Sequence, residues 1–435
     1  MRLNAYRITM KQITLQPLQQ AVTATVVIPG SKSVTNRALI MAALSPHQVR
    51  IRYPLLSDDT DAMIECLQTL GIRIEKRTNE LVVKGSIADV TDRHYELNAR
   101  LSGTTIRFIT ALAAIVPGEK KIFGIDRLNE RPIKDLVEGL RQMGTKITYD
   151  KQEELPPLII HQGEISKRTV HMNGGMSSQY FTALLMIAPV IGGLTIEVEG
   201  NQISKSYIDI TIEMMREWGV VVENKNYTSY IVPAGQYNIR EYTVEGDYSA
   251  AGYFAGIAAL AGSTIVLENL NMNSTQGDKK FFEIISKMGN GVFEAKNEMK
   301  IKGVRVKAVT VDMESCPDQA QTLAVLAAFA DGVTTMTGVR SLRVKETERV
   351  QAVQQELAKM GIRTKSPDKD TLIVYGGNPH AAEIDTYHDH RMAMSFAMAG
   401  AKIKGITIND PDVVKKTFPA FWEKLENIGV GVAIL

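Results

Sequence analysis

The sequence has 435 residues, of which 44% are hydrophobic and 23% are charged, a composition typical of a globular protein large enough for two domains. The 50 lysine and arginine residues are nearly balanced by 48 acidic residues, which argues against a protein devoted to nucleic acid or to acidic membrane surfaces. The two cysteines, Cys66 and Cys316, are too few for a disulfide framework, and no Cys/His spacing typical of a metal site occurs.

The N-terminal residues contain neither an apolar signal core nor a small-residue cleavage site, so we expect no secretory signal and a cytoplasmic protein. One uncharged stretch, residues 181–196, is nearly long enough to raise the question of a membrane span. Pro189, Gly192 and Gly193 interrupt it. The stretch therefore predicts a buried helix followed by a buried strand.

An amphipathic segment that ends at or near a glycine recurs six times along the chain. The six glycines are Gly71, Gly144, Gly219, Gly289, Gly361 and Gly429. Their spacings of 73, 75, 70, 72 and 68 residues are nearly equal. Apolar residues at three- and four-residue intervals predict a helix with one buried face, and the glycine predicts a left-handed C-cap before a strand.

A second helix precedes each amphipathic one and is apolar almost all round, which predicts that it is buried. These segments read RALIMAAL, IRFITALAAI, QYFTALLMIA, SAAGYFAGIAALAG, QAQTLAVLAAFA and RMAMSFAMAGA. The two sets of helices together predict six α/β units, three in each domain.

Polar motifs lie directly before both helices of each unit, and cations are prominent in them. Eight cations lie at or near helix starts: Lys32, Arg37, Arg107, Arg131, Lys345, Arg349, Arg391 and Lys416. A positive charge is unfavourable at a helix N-terminus unless an anion binds there. The set therefore predicts a shared, strongly anionic ligand, although any single member is equally explained as a solvated surface charge. Neither a Walker A motif nor GxGxxG occurs, so ATP and NAD are not indicated.

In order and spacing, these motifs resemble the 5-enolpyruvylshikimate-3-phosphate synthase family. The resemblance covers the chain from Pro29 to Pro419 and is most specific at VKETER, DHRMAM and KTFP. The other matching motifs are PGSKSVTNRAL, SGTTIR, NERPI, SSQYFTALLM, SKSYIDIT and VEGDYSAAGYF.

The resemblance implies an α/β fold of two domains, each with three βαβαββ units, the inside-out α/β barrel of enolpyruvyl transferases. The active site would lie in the cleft between the domains. The implied domains are residues 31–245, inserted, and residues 1–30 plus 246–435, discontinuous. The chain would cross between them near 30–32 and 244–247.

The resemblance also implies the substrates, phosphoenolpyruvate and shikimate 3-phosphate, and the residues that hold them. Shikimate 3-phosphate would contact Lys32, Ser33, Arg37, Ser177, Ser178, Gln179, Ser204, Tyr207, Asp318, Ser341 and Lys345. Phosphoenolpyruvate would contact Lys32, Gly103, Arg131, Gln179, Arg349, His390, Arg391 and Lys416. Arginine forks suit carboxylate and phosphate because they bind such groups at two points.

Four residues would be catalytic on this resemblance. Asp318 would be the base and Glu346 a proton-transfer group, while Lys345 and Lys32 would stabilise developing charge. Taken alone, Asp318 is equally readable as an N-cap and Glu346 as a first-turn acid. No metal or organic cofactor is expected, and we expect a monomer that binds neither nucleic acid nor membrane.

The sequence departs from the family pattern at three positions. Leu101 and Ser341 each stand where an asparagine is common, and Leu342 stands where a tryptophan is frequent. Neither asparagine position touches the proposed acid, base or arginines. The Leu101 change leaves the contact with phosphoenolpyruvate and the sensitivity to glyphosate open.

Three alternative functions are weighed against this one. A UDP-N-acetylglucosamine enolpyruvyl transferase shares the architecture, but it typically uses a loop cysteine and lacks the SSQYFTALL and SKSYID motifs. A reactive role for Cys316, beside Pro317, is left open but is not required. A non-catalytic ligand-binding paralogue is disfavoured by the intact set of charged residues, and an RNA terminal-phosphate cyclase by the near-neutral charge.

Overall fold

The computed structural model of this chain describes residues 11–161 and 163–435, and these form twelve α-helices and 24 β-strands. Two strands come first, β1 (Gln12–Gln16) and β2 (Thr23–Val27). The remaining elements fall into two halves of six helices each. We call residues 31–245 the first half, and residues 11–30 with 246–435 the second half.

The elements of the first half alternate along the chain as the repeats predict. Its helices are α1 (Lys32–Leu44), α2 (Asp58–Thr69), α3 (Gly103–Ala114), α4 (Lys134–Gln142), α5 (Ser178–Ile187) and α6 (Lys205–Glu217). Its strands are β3 (Val49–Arg52), β4 (Ile74–Arg77), β5 (Glu80–Val83), β6 (His94–Asn98), β7 (Glu119–Phe123), β8 (Lys146–Tyr149), β9 (Leu158–His161), β10 (Thr169–Asn173), β11 (Leu194–Glu199), β12 (Glu223–Asn224), β13 (Ser229–Val232) and β14 (Glu241–Thr243).

The second half repeats the pattern. Its helices are α7 (Tyr248–Ala261), α8 (Lys280–Lys287), α9 (Ala320–Ala328), α10 (Arg349–Lys359), α11 (His390–Gly400) and α12 (Phe421–Asn427). Its further strands are β15 (Thr264–Glu268), β16 (Gly291–Ala295), β17 (Glu298–Lys302), β18 (Thr310–Asp312), β19 (Val333–Thr337), β20 (Thr364–Lys365), β21 (Leu372–Tyr375), β22 (Glu383–Ile384), β23 (Thr407–Asn409) and β24 (Gly431–Ile434).

The strands form six four-stranded sheets with one shared topology. In the sheet β6-β7-β9-β8, the first two strands are parallel and the other pairs are antiparallel. All six sheets share this pattern of one parallel and two antiparallel pairs, and in four of them the spatial order is first, second, fourth and third strand of the chain; in the other two, β14 and β1 take one of the four places. The structure thus confirms the α/β fold with repeated βαβαββ units.

At each boundary between the halves, the strand belongs to one half and the helix that follows it to the other. β2 directly precedes α1, yet it pairs in parallel with β15 of the second half, while β14 directly precedes α7 and pairs in parallel with β3 of the first half. Where the two connections pass each other, Gly30 bridges to Gly246, and the Ser31 amide donates to the Glu245 carbonyl at 2.8 Å. β1 completes the sheet of the last unit, between β23 and β24.

In each half, three buried helices pack against one another inside the sheets. α1, α3 and α5 are in mutual contact, as are α7, α9 and α11. Their residues are buried on nearly every side, as their unbroken apolar sequences predict. The buried hydrophobic residues form two clusters, one between positions 34 and 244 and the other at positions 13–28 and 248–430.

The six repeat glycines end the amphipathic helices as predicted. All of them have a positive φ, between 80° and 108°, a conformation that a side chain disfavours and glycine adopts freely. The uncharged stretch at 181–196 is a buried helix, α5, followed by the strand β11. Across the described residues, every helix is too short or too polar to span a bilayer.

Candidate active site

The starts of the six buried helices converge on one cavity between the two halves. Each helix contributes a residue at or beside its first turn: Lys32, Gly103, Ser178, Ser249, Asp318 and His390. A helix N-terminus presents unpaired N–H groups and a partial positive charge. Six such ends around one space favour an anionic ligand.

The cavity has a wide part and a narrow part that adjoin. Hydroxyl and amide side chains dominate the predicted residues of the wide part: Ser33, Arg37, Ser177, Ser178, Gln179, Ser204, Tyr207 and Ser341. The predicted residues of the narrow part are mostly charged: they are Gly103, Glu346, Arg349 and His390. Six predicted residues border both parts: Lys32, Arg131, Gln179, Asp318, Lys345 and Arg391.

Asp318 lies in a 3₁₀ turn that leads into α9 and is held by two arginines. Its Oδ1 is 2.9 Å from Nη1 of Arg349, and its Oδ2 is 2.9 Å from Nη2 of Arg391. The Tyr207 hydroxyl donates to Oδ2 at 2.7 Å. The side chain therefore does not cap α9, and the N-cap interpretation of Asp318 is wrong.

Burial alone would raise the pKa of Asp318, but Arg391, Lys345 and Arg349 outweigh it and hold that pKa well below its usual range. The carboxylate is therefore ionised at neutral pH. A carboxylate of such low basicity needs some of this positive charge neutralised before it can accept a proton. A bound anion is the natural source of that neutralisation.

Glu346 lies just before α10 and joins cations from both halves. Its Oε1 is 3.0 Å from Nζ of Lys416 and 4.0 Å from Nη1 of Arg131, and its Oε2 is 2.9 Å from Nη2 of Arg349. The N-cap of α10 is Glu348 instead, so the first-turn interpretation of Glu346 is wrong. Burial opposes its ionisation, but Lys416, Arg349 and Arg131 hold its pKa well below its usual range.

Two guanidinium groups lie against Gly103 at the start of α3. A Cβ atom placed on this glycine would be 2.6 Å from Nη1 of both Arg107 and Arg131. The Nε atoms of these two arginines are buried and without a hydrogen-bond partner within the described structure. Burial, and then the charge of Arg107, lower the pKa of Arg131 to about 10. A bound phosphate or carboxylate would reduce the repulsion between these two cations and accept hydrogen bonds from their unpaired Nε–H groups.

His390 faces the narrow part with an exposed fraction of 1%. Neither ring nitrogen has a hydrogen-bond partner among the described residues. Burial, followed by Lys416 and Arg391, lowers its pKa well below the usual range. The ring is therefore neutral and offers one donor and one acceptor to a ligand.

The side chain of Arg37 is bound within the first half of the protein. Its Nε donates to the Thr211 hydroxyl at 2.8 Å, and its Nη atoms donate to the carbonyls of Ser33 and Tyr207 at 2.8 and 2.9 Å. These bonds fix the serine and the tyrosine that line the wide part. The structure thus gives Arg37 a part in shaping the wall of the cavity.

Three carboxylates of the site escaped the sequence analysis. Asp59 pairs with Lys32 at 3.1 Å, and Asp389 pairs with Nε of Arg349 at 2.7 Å. Asp278 is bonded to the hydroxyl of Ser249 at the cavity wall. Asp59 lies in the first turn of α2, Asp389 is the N-cap of α11, and Asp278 lies in the turn before α8, all places where an acid is expected for helix capping alone. The signal that points to them is the excess of cations in the same motifs, since buried cations need counter-charges.

The departures from the family pattern leave the charged site intact. Leu101 has a 38% exposed side chain, and its backbone carbonyl accepts a hydrogen bond from Nζ of Lys416 at 3.3 Å. That contact requires no particular side chain at position 101. Ser341 lines the wide part, and Leu342 is buried in the core of the second half.

Neither cysteine has the character of a reactive nucleophile. Both are buried, and burial raises the pKa of each thiol to about 12. The thiolate is the reactive species, so neither residue provides it at neutral pH. Cys316 therefore gives no support to the UDP-sugar transferase alternative.

Comparison with known proteins agrees with this geometry. A family model described as EPSP synthase (3-phosphoshikimate 1-carboxyvinyltransferase) matches residues 17–425. A 3-phosphoshikimate 1-carboxyvinyltransferase of Paraburkholderia phytofirmans is 39% identical over 95% of this chain and 98% of its own. One of Ralstonia pickettii is 40% identical with the same coverage. The solved structure of an EPSP synthase from Acinetobacter baumannii superposes with a TM-score of 0.81, at 25% identity, over 98% of this chain and all of that one.

Proposed function

Because this chain belongs to the EPSP synthase family, we infer that it transfers the enolpyruvyl group of phosphoenolpyruvate to the 5-hydroxyl of shikimate 3-phosphate and releases phosphate. It is an enzyme of the shikimate pathway to aromatic amino acids. The observation that carries this function, beside the family match, is that two carboxylates, Asp318 and Glu346, share the Arg349 guanidinium in a cavity ringed by cations. The assignments to individual residues below are proposals.

Phosphoenolpyruvate is assigned to the narrow part of the cavity. It brings a carboxylate and a phosphate, and the free donors of Arg107 and Arg131 beside Gly103 are suited to one of them. Three further cations of this region already form ion pairs: Arg349 and Lys416 with Glu346, and Arg391 with Asp318. The negative charge of the ligand would add to that of these two carboxylates in neutralising the cations. We propose that Lys32, Gly103, Arg131, Gln179, Arg349, His390, Arg391 and Lys416 hold it.

Shikimate 3-phosphate is assigned to the wide part. Hydroxyl-rich walls suit a polyhydroxylated ring, and Ser177, Ser178 and Gln179 lie at the start of α5, where helix N–H groups would face its phosphate. The remaining proposed contacts are Lys32, Ser33, Arg37, Ser204, Tyr207, Asp318, Ser341 and Lys345.

The reaction has two stages. In the addition, the 5-hydroxyl loses its proton, its oxygen forms a bond to C2 of phosphoenolpyruvate, and the methylene carbon gains a proton. In the elimination, that methyl group loses a proton, the bond from C2 to the phosphate oxygen breaks, and the double bond forms again. The products are an enolpyruvyl ether and inorganic phosphate.

We assign the first two proton transfers to the two carboxylates. Asp318 takes the proton of the substrate hydroxyl. Its Oδ2 already accepts a hydrogen bond from the Tyr207 hydroxyl at the cavity wall, so it can accept one from a hydroxyl group. Glu346 delivers a proton to the methylene carbon from the narrow part. Lys32 and Lys345 border both parts of the cavity and stabilise the charge that develops between the substrates.

Substrate binding adjusts the basicity of both groups. Lys416, Arg349 and Arg131 hold the pKa of Glu346 low, and a bound carboxylate and phosphate neutralise the same cations. The pKa of Glu346 therefore rises when phosphoenolpyruvate binds, so that the group can hold the proton it must deliver. Arg391 and Arg349 link Asp318 to the same anion, and its basicity rises as well.

We also propose the domain division and the state of the protein. The two hydrophobic clusters and the crossing at Gly30 and Gly246 support domains of residues 31–245 and of 1–30 plus 246–435; residues 1–10 lie outside the described structure. A cytoplasmic, monomeric enzyme fits a biosynthetic reaction of small metabolites.

The function is tested by supplying phosphoenolpyruvate with one acceptor at a time and measuring phosphate release. We expect release with shikimate 3-phosphate and none with UDP-N-acetylglucosamine. Release with the UDP-sugar alone would overturn the assignment. The variant Asp318→Asn separates binding from chemistry: it should still bind both substrates while turnover falls by about 10²- to 10⁴-fold.

A further inference from the structure

Asp278 is a buried carboxyl group that the proposed mechanism does not use. It lies in the 3₁₀ turn Gly277–Lys279 before α8, and its exposed fraction is 6%. It forms no ion pair within the described residues, and its Oδ2 accepts a short hydrogen bond from the Ser249 hydroxyl. A buried carboxylate without a cationic partner is unfavourable, and such a group gains stability by binding a proton.

Ser249 connects Asp278 to the proposed base. Its Oγ accepts a hydrogen bond from Nη2 of Arg391 at 3.3 Å, and the same Nη2 donates to Oδ2 of Asp318 at 2.9 Å. A negative charge on Asp278 therefore competes, through Ser249, for the arginine that holds Asp318. When Asp278 is protonated, this competition ends and Arg391 binds Asp318 alone.

The first half of the molecule covers the Asp278 turn from across the cleft. The Ser206 hydroxyl donates to the Ser315 carbonyl at 2.9 Å, and a Cβ atom on Gly277 would be only 2.5 Å from the Ser206 Oγ. The neighbouring Tyr207 reaches Asp318. These contacts cross between the halves, so opening of the cleft would break them and admit water to the turn.

The groups that face Asp278 explain the direction of its pKa. They come from four elements: Asp247 at the N-cap of α7 and Ser249 of α7, Cys316 and Asp318 before α9, Arg391 of α11, and Tyr207 of α6. Burial, followed by the negative charge of Asp318, raises the pKa of Asp278, Arg391 opposes both, and the net pKa is about 7. An exposed aspartate titrates near 3.9.

We propose that Asp278 couples closure of the cleft to the uptake of a proton, and that through Ser249 and Arg391 it positions Asp318 for the reaction. This inference rests on the proposed function. In the open cleft Asp278 is hydrated and ionised, and in the closed cleft it is protonated. The closed form is therefore favoured as the pH falls through the closed-state pKa, and ligand binding weakens above it.

The test is the number of protons taken up when both substrates bind, measured by calorimetry in buffers of different ionisation enthalpy. The background is Glu346→Gln, in which position 346 cannot take up a proton and turnover is suppressed. At pH 7, near the closed-state pKa, we expect Asp278 to contribute uptake of about half a proton in this background, and this contribution should be lost when Asp278→Asn is added. Asp209→Asn is the matched control, because Asp209 also accepts from a hydroxyl, that of Tyr227.

Equal uptake with and without Asp278→Asn would overturn the coupling. Should that variant not fold, Ser249→Ala is used instead. It keeps the carboxyl group but removes a hydrogen bond that lowers the pKa of Asp278, so the pKa should rise. The pH of maximal uptake should then move upward, and an unmoved maximum would contradict the inference. Turnover of the unmodified enzyme is measured beside these variants: its absence would refute the proposed function, whereas unchanged proton counts with normal turnover would refute only the role of Asp278.

Discussion

The hydroxyl of Tyr207, from the first half of the molecule, donates a 2.7 Å hydrogen bond to Oδ2 of Asp318, from the second half. Glu346 forms a similar link, since it lies between Lys416 of its own half and Arg131 of the other. A carboxylate of the second half thus lies between cations of both halves and offsets their charge.

Replacement of Tyr207 by phenylalanine should weaken catalysis without unfolding the protein. The variant loses a hydrogen bond to a charged group, which contributes about 1.5–3 kcal/mol. We expect kcat/KM for shikimate 3-phosphate to fall by about tenfold or more in steady-state kinetics. Tyr227→Phe is the control, because that hydroxyl bonds to Asp209 outside the cavity. Equal effects of the two variants would argue against a role for Tyr207 in the site.

Replacement of Glu346 by glutamine should stop proton delivery to the methylene carbon. We expect kcat to fall by about 10²- to 10⁴-fold, the usual range for loss of a general acid. In D₂O, the unmodified enzyme should introduce deuterium into the methylene group of the product, as followed by mass spectrometry. Glu348→Gln, two residues away at the N-cap of α10, should retain activity. A Glu346→Gln variant with normal turnover would exclude Glu346 from the chemistry.

Replacement of Gly103 by alanine should selectively weaken phosphoenolpyruvate binding. The added methyl group would lie 2.6 Å from Nη1 of Arg107 and of Arg131, so one or both guanidinium groups must move. We expect the KM for phosphoenolpyruvate to rise at least about tenfold, which corresponds to about 1.4 kcal/mol. The affinity for shikimate 3-phosphate should change much less. Gly235→Ala is the control, because its nearest neighbour would be 3.8 Å away; a parallel loss for both substrates would contradict this account.

Replacement of Asp278 by asparagine should change how stability depends on pH. Burial raises the pKa of Asp278 in the folded protein to about 7, against about 3.9 in the unfolded chain. Between these values the folded protein binds the proton more tightly, so the stability of the unmodified protein falls as the pH rises. With the cleft held closed by both substrates in the Glu346→Gln background, the Tm with Asp278→Asn, relative to the Tm without it, should therefore increase from pH 4 to 7 and then level off.

The control for this prediction is Asp368→Asn, on an exposed loop. Hydrogen bonds from the Asp370 amide, chief among the causes, lower the pKa of Asp368 rather than raising it. Its substitution should give no increase of relative Tm with pH. If the Tm difference caused by Asp278→Asn is the same at every pH, Asp278 is ionised in the closed, folded protein and the prediction is wrong.

The repeat and the buried helices were predictable because local physics fixes them. The six glycines that end the amphipathic helices have the positive φ that the sequence indicates, and the second helices are buried as their apolar residues require. The crossing of β2 and β14 to the sheets they join is not visible in these patterns; only the family resemblance implied crossings near 30–32 and 244–247. A β-branched strand carries no local signal of the sheet it joins, and the pairing is seen only where the connections meet at Gly30 and Gly246.

The cations of the site were predictable, but their partners were not. Lys32 and Arg349 lie at helix starts, where an unexplained positive charge is noticeable. Asp59 and Asp389 lie in similar places, but an acid there is expected as a cap and attracts no attention. Asp389 is 40 residues from Arg349 in the chain, and only the packing of α10 against α11 brings the two together.

The central claim is that the cavity joins two substrates, and a single-turnover experiment tests it most directly. Excess enzyme is mixed with phosphoenolpyruvate and shikimate 3-phosphate, and the products are identified by mass spectrometry while phosphate is counted. We predict one phosphate and one enolpyruvyl ether of shikimate 3-phosphate for each phosphoenolpyruvate consumed. Phosphate accompanied by pyruvate and unchanged shikimate 3-phosphate, or no phosphate at all, would contradict the account.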